Sequence, residues 1–192
     1  MSTPTRAFVG RLSELDVFDP LGDKVGRVRD VVVTFSTTRA RPRVIGLVVE
    51  VPGRRRVFVP MTRVTSVDGG QVITTGLVNM RRFEQRPNET LVLAELVERP
   101  VQVRMDDGQV VDATIEDIGL ERDRTREWSV AKAYVRKGAA KRTISPLGRR
   151  RGETVIVAIE DVTGLRAADD VQGAHRLLEA YEDLKPADLA EV

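Results

Sequence analysis

Short valine-rich runs recur along this chain, and the way they alternate with polar residues sets the first expectations for its fold. In "GDKVGRVRDVVVTF" Val28 faces one way by period two, whereas Val31, Val33 and Phe35 share the opposite parity. In "GQVVDATIEDIGL" Val111, Ala113 and Ile115 share a parity, and Ile118 and Leu120 have switched. Each switch spans an aspartate, Asp30 or Asp117. A change of face within one strand is what a β-bulge produces, because it sets two residues opposite one. Burial of these runs on both faces is the alternative reading. Between the runs stand "DPLGD" (19–23), "VPGRR" (51–55), "VDGG" (67–70), "MDDG" (105–108) and "RKG" (136–138). Such clusters predict hairpins, since glycine takes positive φ without steric cost.

The pattern repeats. Sliding the sequence by 86 sets "VIGLVVEVPGRRRVFVP" (44–60) on "VAKAYVRKGAAKRTISP" (130–146), and "GDKVGRVRDVVV" (22–33) on "GQVVDATIEDIGL" (108–120) with one residue of slippage. Identity is low, but the order of parts is shared: apolar strand, turn with Gly53 or Gly138, basic strand start, apolar residue, proline. A repeat of this kind predicts two small antiparallel β-barrels of five or six strands each. The first spans 1–88 with a connector around Arg86–Asn88. The second spans 89–166, opens with a helical turn at 91–96, and closes with "TVIVAIEDV" (154–162).

From 167 to 192 the period changes. Val171, Ala174, Leu177, Leu178 and Tyr181 recur at helical spacing, and Pro186 with Asp188 is a favourable start for a further helix. So short a helix cannot bury its apolar stripe alone, so the chain is expected to be the start of a longer helical part.

Composition narrows the chemistry. Hydrophobic residues make up 41% and charged residues 31%, ordinary for a globular protein, and aromatics only 4%, which leaves valine, leucine and isoleucine to build the core. There is no cysteine and one histidine, His175, at a helix-surface position, so thiol and serine–histidine chemistry have little to work with. No apolar stretch approaches the roughly 20 residues of a membrane-spanning helix, and a cytoplasmic location is expected. No cofactor is expected. "GDKVG" lacks the strand-to-helix context of a phosphate loop. Asp16, Asp19, Asp23 and Asp30, and Asp106, Asp107, Asp112, Glu116 and Asp117, are oxygen donors of the kind that suit magnesium or calcium, though aspartates in hairpins usually serve the turn. A formal charge of +2 does not by itself imply a nucleic-acid partner. Two arginine triplets, Arg54, Arg55, Arg56 and Arg149, Arg150, Arg151, are the footprint for an anionic partner, with no aromatic residue interleaved. Trp128 is read either as an exposed anchor for a protein partner or as a cap on the open end of the barrel.

"LDVFDPLGDKVGRVRDVVV" resembles the opening of a PRC-barrel domain, the β-barrel shared by the photosynthetic reaction-centre H subunit and the RimM-type ribosome-maturation factors. "VIGLVVEV" and "RRVFVP" occupy the third and fourth strands of that pattern. The second copy resembles the same family but carries Ala113 in place of Gly26. "KPADLAEV" is similar to the start of the cytoplasmic N-domain of MgtE-type magnesium transporters. The resemblances imply a mainly β protein, two PRC-type barrels in tandem followed by a short α-helical segment. They imply a non-catalytic adaptor or regulator that binds another protein, with a link to magnesium homeostasis, and Glu179, Glu182, Asp183 and Asp188 as candidate magnesium-responsive carboxylates. A membrane transporter, which would recruit the chain to the inner face of the membrane, and a second copy of the chain are among the expected partners. The alternative is a ribosome- or RNA-associated factor working through the arginines.

Overall fold

The computed structural model describes residues 6–68, 70–76, 78–138 and 152–165. The helical segment expected at 167–192, with Glu179, Glu182, Asp183 and Asp188, lies outside the described residues, as do Arg149, Arg150 and Arg151.

The chain is mainly β. A short strand, β1 (Arg6–Phe8), leads into a single helical turn, α1 (Val9–Leu12). Then come β2 (Asp16–Phe18), β3 (Lys24–Thr34), β4 (Arg43–Val51) and β5 (Arg55–Pro60). A 3-10 turn at Met61–Arg63 connects to β6 (Val64–Asp68) and β7 (Gln71–Thr74). The second half repeats this with β8 (Glu89–Leu91), a π turn at Val92–Leu96, β9 (Pro100–Arg104), β10 (Val110–Arg122) and β11 (Trp128–Lys137). It ends with β12 (Thr154–Ala158), a 3-10 turn at Ile159–Asp161 and β13 (Val162–Thr163).

Both expected bulges are present. The β3–β4 register shifts between Val28 and Asp30, and the β10–β11 register between Ile115 and Asp117. The alternative holds as well over Val31–Val33, each fully buried, because β3 is covered on both faces there. The expected turns form with Gly22, Gly53, Gly70, Gly108 and Gly138 all at positive φ.

The strand order among the described residues is an open path, β13-β9-β10-β11-β4-β3-β2-β7-β6, with β1, β5, β8 and β12 paired beside it. The described strands are thus joined in one open sheet, and the halves meet in the middle of it. Arg43 of β4 pairs with Ser129 of β11, residues that are equivalent in the repeat, and Val130 N donates to the Pro42 carbonyl at 2.9 Å. Two equivalent strands pairing antiparallel at equivalent residues is the arrangement a two-fold axis generates.

The halves also exchange their first strands. β1 pairs with β10 of the second half, Phe8 opposite Gly119, while β8 pairs with β3 of the first half, Leu91 opposite Val32. The bulge aspartates lock this exchange. The Asp30 carboxylate accepts from Leu93 N at 2.8 Å and Ala94 N at 3.1 Å in the π turn, and from Val31 N at 2.7 Å. The Asp117 carboxylate accepts from Gly10 N at 3.0 Å in α1 and Ile118 N at 2.7 Å. Each aspartate therefore satisfies N–H groups that begin the helical turn of the other half, groups a helix cannot satisfy by itself. A boundary at residue 88 is crossed in both directions, and buried residues from Val9 to Leu165 form one continuous core.

The expected pairing of "RVFVP" (56–60) with "RTISP" (142–146) is displaced. Gly46 faces Pro60 on β4–β5, and its equivalent Lys132 faces Ala158 on β11–β12, so the counterpart of β5 is β12 at an offset of 98. Extra residues in the hairpin after Gly138 account for the change, and 142–146 lie outside the described residues.

Candidate functional site

Among the described residues a concavity lies in the first half, between β5 and the segment that follows β7. The chain at 82–83 returns along the outer edge of β5: Val57 bridges Arg82, and Phe83 N donates to the Arg56 carbonyl at 2.8 Å. This encloses a groove of about 760 Å³. Its floor is a stacked pair, Phe58 and Phe83, with ring centroids 6.0 Å apart and planes 21° from parallel. Val59, Val78, Pro60 and Pro87 add apolar wall, and Arg63, Arg81, Arg82 and Arg86 line it with cations.

Local structure explains why the floor is open. Gly46 on β4 has no side chain, and a Cβ there would stand 2.3 Å from Cε2 of Phe58. The absence of that atom lets the Phe58 ring lie flat over β4. The far wall is set by Glu89, only 8% exposed, whose carboxylate accepts from Arg86 N at 3.0 Å while Glu89 N donates to the Arg86 carbonyl at 3.0 Å. Gln85 donates to the Glu89 carbonyl at 2.9 Å and to Glu95 at 2.8 Å. The wall is thereby tied to the π turn of the second half.

The Arg54, Arg55, Arg56 triplet sits in the β4–β5 hairpin, exposed, with Arg54 at positive φ. Through the Arg56–Phe83 bond it runs directly into Arg81 and Arg82. Glu50 lies among these cations. The hydrogen-bonded guanidinium of Arg29, 2.7 Å away, holds its carboxyl below the usual range, and Arg56 and Arg54 add to the effect. The expectation that no aromatic residue accompanies the arginines therefore fails in space: Phe58 and Phe83 are brought beside them by the returning chain.

The other candidates separate from this site. Trp128 is not an exposed anchor; it is 4% exposed, opposite Arg122 on the β10–β11 ladder and part of the core. Its indole is large and apolar, and burial removes that surface from water. The acidic residues of the turns are used locally. The Asp19 carboxylate accepts from Leu21 N and Asp23 N, each at 2.9 Å, and Asp107 accepts from Gln109 N at 2.9 Å. Asp16 binds Lys24 and Arg27, which hold its carboxyl below the usual range. Among the described residues no group of three or more acidic or histidine side chains is placed to hold a metal ion. No helix among them is long and apolar enough to cross a membrane.

The residues that the sequence reading missed are Phe83, Arg81, Arg82 and Arg86. Their only local signal is "MRRFEQRP", a dense basic–aromatic stretch placed between two apolar units.

Comparison with known families separates the two halves. Residues 4–77 match the PRC-barrel domain, whereas residues 90–168 match the actinomycetes SH3 domain, so the second half does not match the family model of the first. A search among curated proteins finds no match. The first half is thus similar to the PRC-barrel domain over 4–77 and the second to the actinomycetes SH3 domain over 90–168.

Proposed function

We propose that the chain is a non-catalytic adaptor that captures an acidic, partly apolar segment of a protein partner in the groove between β5 and residues 78–89. The observation that carries the proposal is the joining of a stacked phenylalanine floor to a rim of Arg63, Arg81, Arg82 and Arg86. Aromatic floors supply contact area at low entropic cost, and rim cations steer and align an oppositely charged segment. Glu84 and Glu89 on the same lining favour a peptide over a continuous phosphate backbone, which would meet repulsion along the groove. The magnesium reading depends on residues 176–192, outside the described part, and the groove itself calls for an anionic side chain. The two halves are read as diverged copies of one β-module, the first having kept the docking groove.

The test is titration of the full chain with two labelled probes, a peptide alternating glutamate with leucine and phenylalanine, and a single-stranded oligouridine. Binding of the peptide, lost by at least tenfold in Arg81→Glu/Arg82→Glu and in Phe83→Ala, supports the proposal. Preferential binding of the RNA, with a steep salt dependence, would replace it with the nucleic-acid reading. Peptide binding indifferent to both variants overturns it.

A further inference from the structure

One face of the first half's sheet carries a row of charges that ends beside the groove. Asp16 of β2 stands opposite Arg27 of β3, Arg27 opposite Glu50 of β4, and Glu50 opposite Arg56 of β5. Residues directly opposite one another on a ladder project from the same face of the sheet. The signs alternate along this row, and its carboxylates are already engaged. Asp16 accepts from Arg27 at 3.1 Å and from Lys24 at 2.8 Å, and Glu50 accepts from Arg29 at 2.7 Å. Glu50 thus gives its hydrogen bond to Arg29, while Arg56 and Arg54 act on its carboxyl through space. Arg56 closes the row as an exposed guanidinium, with no hydrogen-bonded carboxylate of its own among the described residues.

The strand period ties Arg56 to the groove. Phe58, two residues on, shares its face because side chains alternate along a strand, and Phe58 is one half of the stacked floor. The other half, Phe83, donates its amide to the Arg56 carbonyl at 2.8 Å. Two residues beyond Phe58, Pro60 lines the groove. One face of β5 therefore reads cation, aromatic ring, proline, and a rise of about 3.3 Å per residue sets these positions roughly 7 Å apart. An extended peptide that follows β5 along the groove has the same period. When one of its residues sits on Phe58 and Phe83, the residue two positions away on the hairpin side stands over Arg56, and the residue between them points away.

We propose that Arg56 sets the spacing that the groove reads, an acidic residue two positions from the apolar residue seated on Phe58 and Phe83, and that Glu50 is an internal competitor for the same guanidinium. The partner's carboxylate takes the place beside Arg56 that Glu50 fills only through space, and Arg54 in the adjoining turn adds attraction. Glu50 keeps Arg29 throughout, so docking requires no change in the sheet. This register presupposes the docking of an acidic segment proposed above and adds to it the position of the charge.

The experiment is competition against the labelled alternating peptide on the full chain, with unlabelled peptides of one composition. Each holds a single phenylalanine and a single glutamate in a glycine–serine background, the glutamate one, two or three positions away on either side. The expected result is that the two-position spacing, in one of its two orders, competes about fivefold more strongly than the others, the upper range for an exposed ion pair. Arg56→Gln, at an exposed side chain whose backbone bond to Phe83 is unaffected, makes the spacings equal. Glu50→Gln strengthens the two-position peptide about twofold and leaves the others unchanged. Arg56→Glu transfers the preference to a peptide with lysine in place of the glutamate. Competition that is lost in Phe83→Ala but is indifferent to spacing, or to Arg56→Gln, overturns the register and leaves the docking reading standing. Failure of the labelled peptide itself to bind overturns both.

Discussion

The first and second halves have the same skeleton and differ in what they do with its margins. In the first, β2 pairs with β7 in parallel and a hairpin of β6 and β7 extends the sheet; in the second, β9 pairs antiparallel with β13 directly. The first has Gly46 under Phe58, and the second has Lys132 and Ile156 in the equivalent places. What stays constant is the set of contacts between the halves: exchanged first strands, bulge aspartates, and the Arg43–Ser129 pair. Contacts that hold the halves together constrain both copies at once, whereas the outer edges are free to specialise. That is why the match to known families splits at the middle while the interior remains one core.

The comparison can be broken most severely by separating the halves. Fragments 1–86 and 87–192 each lose an exchanged strand and the aspartate that holds their helical turn. Neither is expected to unfold cooperatively alone by circular dichroism, and mixing them restores the transition. Two independent transitions would mean that the exchange is incidental.

Next come the aspartates. Asp30→Ala leaves three N–H groups without their acceptor and is expected to cost about 3 kcal/mol in urea denaturation, the range for lost bonds to a buried charge. Asp117→Ala removes two bonds in a more exposed place and is expected to cost about half of that, roughly 1.5 kcal/mol. Equal costs would show that the two anchors are interchangeable.

Gly46→Ala forces its Cβ against the Phe58 ring, with an expected loss of about 1–3 kcal/mol from overpacking and a collapse of peptide binding. The reciprocal Lys132→Gly costs only the entropy of a strand glycine, about 0.5–1 kcal/mol. A smaller change of opposite sign is expected at Thr114, whose hydroxyl is buried without a hydrogen-bond partner where the first half has Arg27. Thr114→Val should stabilise the protein by about 1 kcal/mol, and Val28→Thr should do the reverse.

The smallest effect is in pH dependence. Burial pushes the Asp30 carboxyl up, against the N–H groups of Leu93, Val31 and Ala94 that favour its charge, and Glu95 nearby pushes it further. Between its ordinary and its raised value the folded state holds more protons than the unfolded state, so stability falls as pH rises through that window. Asp123 in the second half has the opposite sign. Thr125 holds it below the usual range, so its contribution is present above the ordinary value and is lost as pH falls. Asp30→Asn should remove the downward slope near mildly acidic pH while leaving the acid limb in place, read as the urea midpoint against pH.

Much of this was legible along the chain. The parity switches at Asp30 and Asp117 marked the bulges, and the Asp-Gly and Pro-Gly pairs marked the turns, because side-chain alternation and glycine φ are properties of a few adjacent residues. The partners of those aspartates were not legible: Leu93 and Gly10 lie 63 and 107 residues away, and no local pattern encodes a hydrogen bond over that distance. Trp128 stayed ambiguous along the chain for the same reason, and only the ladder with β10, which carries it into the core, excludes the exposed anchor of its two readings. The offset of 86 held through β4 and failed at β5, where extra residues in one hairpin moved the true counterpart twelve positions on.

The amino-acid sequence alone determined the β character, the bulged strands, the turn positions and the existence of a repeat, all set by local sterics and by the period of two. Only the tertiary structure decided that the halves exchange strands, that their aspartates reach across, and that Phe83 returns beside Phe58 to make a groove. Those outcomes depend on which of several compatible strand edges meet, a choice made by long-range burial of apolar surface and by the need to satisfy buried N–H groups.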